Sequence, residues 1–242
     1  MKRRTDAPRV GLFGGTFNPI HLGHLRAAEE VAEALGLDRV AFIPSNVPPH
    51  KRERDGDPIA SAALRLAWVE GALAGNPRFG IDRVELDRSG PSYLVDTLTA
   101  IRARDPEGPP PVFIVGEDAF AEMGDWRSPR ELFALADFAV MTRPPGRLLD
   151  LAERIPAAVR DQFRFESEGQ VARHRTQGTR IDRVAITALD ISSSRIRELC
   201  REGRSIRYLV PESIRASIEQ SRCYSTRTPV TPDVAQESCR RG

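Results

Sequence analysis

The chain has 242 residues, 40% of them hydrophobic, enough to bury a core as one large domain with or without a small appendage. Its 36 Lys and Arg residues against 34 Asp and Glu leave a formal net charge of +2, too balanced to suggest nucleic acid or a membrane surface as partner, so small-molecule chemistry is favoured. Lys2-Arg3-Arg4 is followed by no apolar signal core, no later run reaches the roughly 18 apolar residues of a membrane span, and Cys200, Cys223 and Cys239 lack CxxC spacing; a cytoplasmic protein in a reducing compartment is expected.

From the N-terminus, an extension over residues 1–8 precedes a predicted strand at 9–13, which runs through Gly14-Gly15-Thr16 into a helix over 22–35 stopped by Gly36. A strand at 39–44 comes next. Asp57-Pro58 then supplies an N-cap and an N1 proline for a helix over 59–73. Further strands are predicted at 79–86, 112–115, 138–142 and 180–186, each short and rich in Val, Ile or Phe, and further helices at 93–104, 193–201 and 211–220. The run 106–111, with four prolines and a glycine, reads as a surface connection. Strands alternating with helices predict an α/β fold: a Rossmann-like open parallel sheet with helices on both faces and a nucleotide site at the carboxyl ends of the strands. One domain over 9–220 is expected, with 221–242 as a disordered polar tail.

The polar residues gather after the strands. Paired glycines at 14 and 15 let backbone N–H groups approach a phosphate, and the helix that follows adds its positive dipole end. His21 and His24, two of the four histidines, stand three apart and share a face of its first turn, with Gly23 leaving room for a close neighbour. Ser45 to Lys51, Arg88 to Tyr93, Gly116-Glu117-Asp118 and Arg143 to Gly146 follow the next four strands and converge on the same edge. Each alone has a structural explanation, such as Ser92 as an N-cap or Asp118 as a first-turn acid; their shared location is what singles them out. A last cluster, Asp190-Ile191-Ser192-Ser193-Ser194-Arg195-Ile196-Arg197, combines hydroxyls, a helix start and guanidinium groups into an anion site. Arg195 and Arg197 cannot share a helix face, so one should point inward and the other to solvent.

The segment from Gly14 to His24 resembles the signature of the HxGH nucleotidyltransferase superfamily, and 191–197 resembles its second signature, ISSTxIR. Pro48-Pro49-His50-Lys51, the 85–93 segment with Thr97, Gly116-Glu117-Asp118, Trp126, Arg143-Pro144 and 203–211 are similar to bacterial nicotinate-nucleotide adenylyltransferases, over about residues 9–220. Three departures are Asn18 where many relatives have Asp, Ser194 where Thr is frequent, and Leu94 where Thr is usual. The resemblance implies adenylyl transfer from ATP to nicotinate mononucleotide, giving deamido-NAD and diphosphate, with Mg²⁺ accompanying ATP. It implies His21, His24 and Arg197 as catalytic residues, and Gly14, Gly15, Thr16, Phe17, His21, His24, Ser193, Ser194 and Arg197 as the ATP site. For the acceptor it implies stacking on Trp126, with Asn46, Tyr93, Leu94 and Asp118 around the ribose and carboxylate and Lys51 and Arg143 facing the phosphate. Other readings are an adenylyltransferase for nicotinamide mononucleotide or pantetheine phosphate, a cytidylyltransferase, or a non-catalytic nucleotide-binding regulatory module. The oligomeric state is left open, with a homodimer among the options.

Overall fold

The computed structural model describes residues 7–48, 58–142, 151–166 and 169–224. In chain order it runs β1 (Val10–Gly15), α1 (Leu22–Leu35), β2 (Arg39–Pro44), α2 (Ala62–Leu73), β3 (Phe79–Ile81), α3 (Leu94–Arg104), β4 (Val112–Gly116), α4 (Glu117–Glu122), α5 (Pro129–Leu135), β5 (Asp137–Thr142), α6 (Leu151–Arg154), β6 (Phe163–Glu166), β7 (Val171–His174), β8 (Arg180–Ala185), α7 (Ser193–Arg201) and α8 (Glu212–Ser221).

The strands form one sheet in the order β3-β2-β1-β4-β5-β8-β7-β6. Neighbours from β3 to β8 are parallel, and β7 is antiparallel to both β8 and β6. The expected open parallel sheet is present, lengthened by an antiparallel hairpin. Strand β1 pairs with β2 on one side and β4 on the other, so the order of connection reverses there. That reversal leaves a crevice at the carboxyl ends of β1 and β4, where ligands of open α/β sheets bind.

Period-2 alternation divides the core between the two faces. Phe13, Val112 and Ile114 join Ala28, Val31, Trp68, Val69, Ile196, Ile214 and Ile218, covering one face with α1, α2, α7 and α8. Leu12, Phe113 and Val115 join Val95, Leu98, Phe120, Leu132, Phe133 and Phe138 beneath α3, α4 and α5 on the other. Helices on both faces are therefore observed.

Four expectations need correction. The strand expected over 79–86 stops at Ile81, because the Asp82 carboxylate accepts the Val84 N–H (3.0 Å) and turns the backbone out of the sheet. The helix expected from residue 59 starts at Ala62 with Ser61 as N-cap, its hydroxyl accepting the Leu64 N–H at 3.3 Å. Asp57, the expected cap, lies outside the described residues, and the Pro58 carbonyl and Ala60 N–H instead bond Asn18. The hairpin β6–β7 and the short helices α4, α5 and α6 were not expected. The polar tail expected from residue 221 is packed as far as Tyr224, which is 2% exposed, lies 5.9 Å from the Trp68 ring and donates its hydroxyl to Asn18 Oδ1 at 2.6 Å; residues 225–242 lie outside the described ones. Among the described residues no helix is long and apolar enough to cross a membrane.

Candidate active site

The end of β1 packs an aromatic floor under a backbone turn. A Cβ on Gly14 would sit 3.1 Å from the Phe113 ring, and one on Gly15 would sit 3.1 Å from the Phe17 ring. Both glycines have negative φ, so what they contribute is close approach. The turn itself is made by Phe17, at φ 46°, a conformation that costs an ordinary residue roughly 1–3 kcal/mol. Burial of its ring edge-on to Phe13 (6.0 Å) and His24 (5.3 Å) holds it there.

His21 caps α1 in an extended conformation and presents its N–H to His24 Nδ1 at 3.2 Å. An accepting Nδ1 places the ring proton of neutral His24 on Nε2, leaving that nitrogen as donor. The two imidazoles lie nearly face to face, centroids 3.7 Å apart and planes 32° apart. Gly23 permits this: its Cβ would lie 3.0 Å from His21 Nδ1 and 3.6 Å from the Ile191 carbonyl oxygen. The room expected beside Gly23 is filled by His21 itself. Of the N–H groups at the start of α1, that of Leu22 is taken by the Leu209 carbonyl at 3.0 Å.

The second signature is pinned against the first. Ser192 caps α7 by accepting the Arg195 N–H, Ser193 Oγ donates to the Pro19 carbonyl (2.8 Å), and Ser194 Oγ accepts from Arg197 Nη2 (3.1 Å). Arg197, 7% exposed, also donates from Nη1 to the Asn18 carbonyl at 2.8 Å. Arg195 lies on the surface, paired with Glu198. One arginine points inward and one outward, as the spacing requires. The serine hydroxyls expected at a phosphate bond protein groups here and hold the two helix starts side by side.

Beside this constellation a cavity of about 200 Å³ is lined by Gly14, Gly15 and Thr16 on one side and by Tyr93, Leu94 and Trp126 on the other. Arg127 lies over the Tyr93 ring, 4.9 Å from its centroid. Asn46 and Asp118 are not in its lining. The Asn46 amide donates to the Arg88 carbonyl (3.0 Å) and its N–H to Ser92 Oγ (3.1 Å), tying the loop after β2 to the approach of α3; Asp118 is exposed on α4. Lys51 and Arg143 lie outside the described residues. A larger hollow, about 470 Å³, opens at the amino ends of β1, β2 and β3, the opposite edge from the carboxyl-end crevice.

Two buried charged residues here, Glu85 within the matched 85–93 segment and Arg65, were given no role from the sequence. Glu85 lines the cavity and accepts from Thr97 Oγ1 at 2.8 Å; burial pushes its carboxyl up, against hydrogen bonds from Thr97 and Ser92 and the nearby Arg88 cation. Arg65 stands in α2 in phase with Trp68, Val69 and Leu73, all buried, a charged residue on an apolar stripe and hence a readable signal. Among the described residues no three His, Cys, Asp or Glu side chains gather into a metal site.

A family model described as cytidylyltransferase-like matches residues 12–199, more than half the chain. A Trichlorobacter lovleyi protein named "Probable nicotinate-nucleotide adenylyltransferase" is 48% identical over 219 residues, covering 89% of this chain and 99% of its own. One of the same name from Geobacter metallireducens is 43% identical, covering 90% and 98%. The fold is shared with a solved Plasmodium falciparum nicotinic acid mononucleotide adenylyltransferase complexed with NaAD, at TM-score 0.68, 14% identity and coverage of 90% and 97%. With its two signatures side by side and such relatives aligned over nearly their whole length, the chain belongs to the cytidylyltransferase-like family and, within it, to the nicotinate-nucleotide adenylyltransferases.

Proposed function

We propose that the protein transfers the adenylyl group of ATP to nicotinate mononucleotide, forming deamido-NAD and diphosphate, in the cytoplasm. The observation that carries this reading is the adjacency of two subsites: the stacked His21 and His24 with buried Arg197 at the starts of α1 and α7, and the cavity between Gly14–Thr16 and Trp126. The first suits phosphates, the second a flat ring.

The phosphate of the mononucleotide attacks the α-phosphorus of ATP in line. The new phosphorus–oxygen bond forms as the bond to the bridging oxygen of the β-phosphate breaks, and diphosphate leaves with that electron pair. The attacking oxygen is already ionised, so no general base is needed, and catalysis rests on alignment and on offsetting charge. The His24 Nε2 proton and the His21 ring face the transferred group, Gly14 to Phe17 shape the nucleotide floor, and Ser193, Ser194 and Arg197 stand toward the outer phosphates. Mg²⁺ bound by the ATP phosphates would offset charge on the leaving diphosphate. Trp126, Tyr93 and Leu94 take the pyridine end of the acceptor; Lys51 and Arg143 are assigned to its phosphate.

The test measures diphosphate release from ATP and Mg²⁺ with nicotinate mononucleotide, nicotinamide mononucleotide and pantetheine phosphate as alternative acceptors. A kcat/KM at least tenfold higher for the acid mononucleotide is expected; equal rates, or preference for either other acceptor, would overturn the assignment.

A further inference from the structure

The loop after β1 rests on a buried cation that meets no carboxylate among the described residues. Arg65, 1% exposed, directs Nε to the Ala60 carbonyl (2.9 Å), Nη1 to the Thr16 carbonyl (2.8 Å) and Nη2 to the Asn46 carbonyl (3.1 Å). Among the described residues no carboxylate pairs with it, whereas Arg104, Arg130, Arg180 and Arg215 each meet one. Burial pulls its pKa down, opposed only by the Tyr224 hydroxyl, yet a guanidinium stays charged at neutral pH. Burying a charge without an opposite charge is costly, and carbonyl dipoles offset only part of that cost.

Arg65 stands next to the ligand cavity. Thr16 and its neighbours Gly14 and Gly15 line the ligand cavity, and the guanidinium is hydrogen-bonded to that wall from behind. A negative charge brought to the front of the loop therefore meets a positive one across a single layer of backbone, in a medium that screens it far less than water. Asn18 ties the same loop to the segment that Arg65 also bonds. Its Oδ1 accepts the Ala60 N–H (3.0 Å) and the Tyr224 hydroxyl, and its Nδ2 donates to the Pro58 carbonyl (3.0 Å).

We propose that the phosphates of the bound nucleotide are the counter-ion of Arg65, which acts through the Thr16 carbonyl as a positioning and electrostatic residue without touching the ligand. The inference rests on the nucleotide reading above and extends it to a residue buried beneath the site.

A charge series tests it. Dissociation constants for adenosine, AMP and ATP are measured on the parent chain, on Arg65→Gln, which keeps a donor but loses the charge, and on Arg65→Lys, which keeps the charge but loses two of the three carbonyl bonds. For Arg65→Gln the expected loss grows with ligand charge: within about 3-fold for adenosine and about 10- to 100-fold for ATP. For Arg65→Lys, measured at pH 6.5 to keep the ammonium charged, the ratio of ATP to adenosine affinity should stay within about 3-fold of the parent. A residue that merely holds the loop would weaken all three ligands alike. Uniform loss, or no loss, in Arg65→Gln overturns the proposal; should that variant not fold, a tenfold fall of the ratio in Arg65→Lys does so. Turnover of nicotinate mononucleotide by the parent is read separately, so failure of the acceptor assignment and failure of the Arg65 assignment give different results.

Discussion

At residue 23 the missing side chain matters more than any group present. A Cβ there would press on the His21 ring at 3.0 Å and on the Ile191 carbonyl, and the helix behind it leaves the ring as the part able to move. Gly23→Ala is therefore expected to rotate His21 away from His24 and lower kcat about 10- to 100-fold, as misplacement of a reacting group by about 1 Å can do, while Tm shifts by only a few degrees. Unchanged kcat would mean the face-to-face imidazoles are dispensable. His21, His24 and Arg197 stood out in the sequence because two histidines three apart at a helix start and an arginine after a serine run match the two signatures. Arg65 was not singled out, because one arginine among many looks like surface charge until its phase within α2 is compared with Trp68 and Val69. Asn46, expected at the acceptor, bonds the Arg88 carbonyl and Ser92 Oγ in this structure, since an amide is equally suited to ligand and to backbone.

Among the elements, those with full helical or strand periods were readable close to their ends: α1, β2 and α7 lie at the expected residues, and β1, α3 and β5 within two. Elements of four to seven residues, such as α4, α5 and α6, show too little of a period to declare themselves. The β6–β7 hairpin was hidden by its composition, with Arg164 and Glu166 on the edge strand β6, where charge guards against further pairing, and Arg173 beside them on β7. That hairpin carries the pH response expected of the fold. His174, buried on β7, accepts the Thr176 and Gln177 N–H groups at Nδ1 (3.3 and 3.2 Å), and burial, with the Arg130 charge second, lowers its pKa. The unfolded chain takes up a proton near pH 6.5 and the folded chain does not, so stability is full above about pH 6.5 and declines below it, by at most about 1.4 kcal/mol per pH unit, until the lowered folded value is reached. His174→Asn, which keeps an acceptor but cannot titrate, should flatten the fall of Tm between pH 7 and 5.5. An identical slope in both proteins would assign the response elsewhere.

For the whole molecule, the face beneath α3, α4 and α5 buries a run of rings, with Phe138 at 5.9 Å from Phe113 and 4.7 Å from Phe133; Phe113 and Leu132 reach the cavity wall from this core, whereas Phe138 is not in the lining. Phe138→Ala is expected to cost about 3–5 kcal/mol, a fall in Tm on the order of 10 °C, while kcat of the folded fraction is kept within about twofold; a selective loss of kcat would show that this core shapes the site. The fold class was legible because alternation of strand and helix admits few arrangements. The packing of the chain's later part was not, since a tyrosine after a polar stretch gives no sign of its partner. That partner is Asn18, and with Leu209 bonded to Leu22 and Arg197 to the Asn18 carbonyl, the loop at residues 16–22 is held by groups encoded some 180 to 200 residues later. On the ribosome this loop emerges well ahead of Arg197, Leu209 and Tyr224, and it lacks the last of these braces until synthesis has reached Tyr224. The loop is thus translated some 180 to 200 residues ahead of the groups that complete it, so a nascent chain holds no finished loop until they have followed.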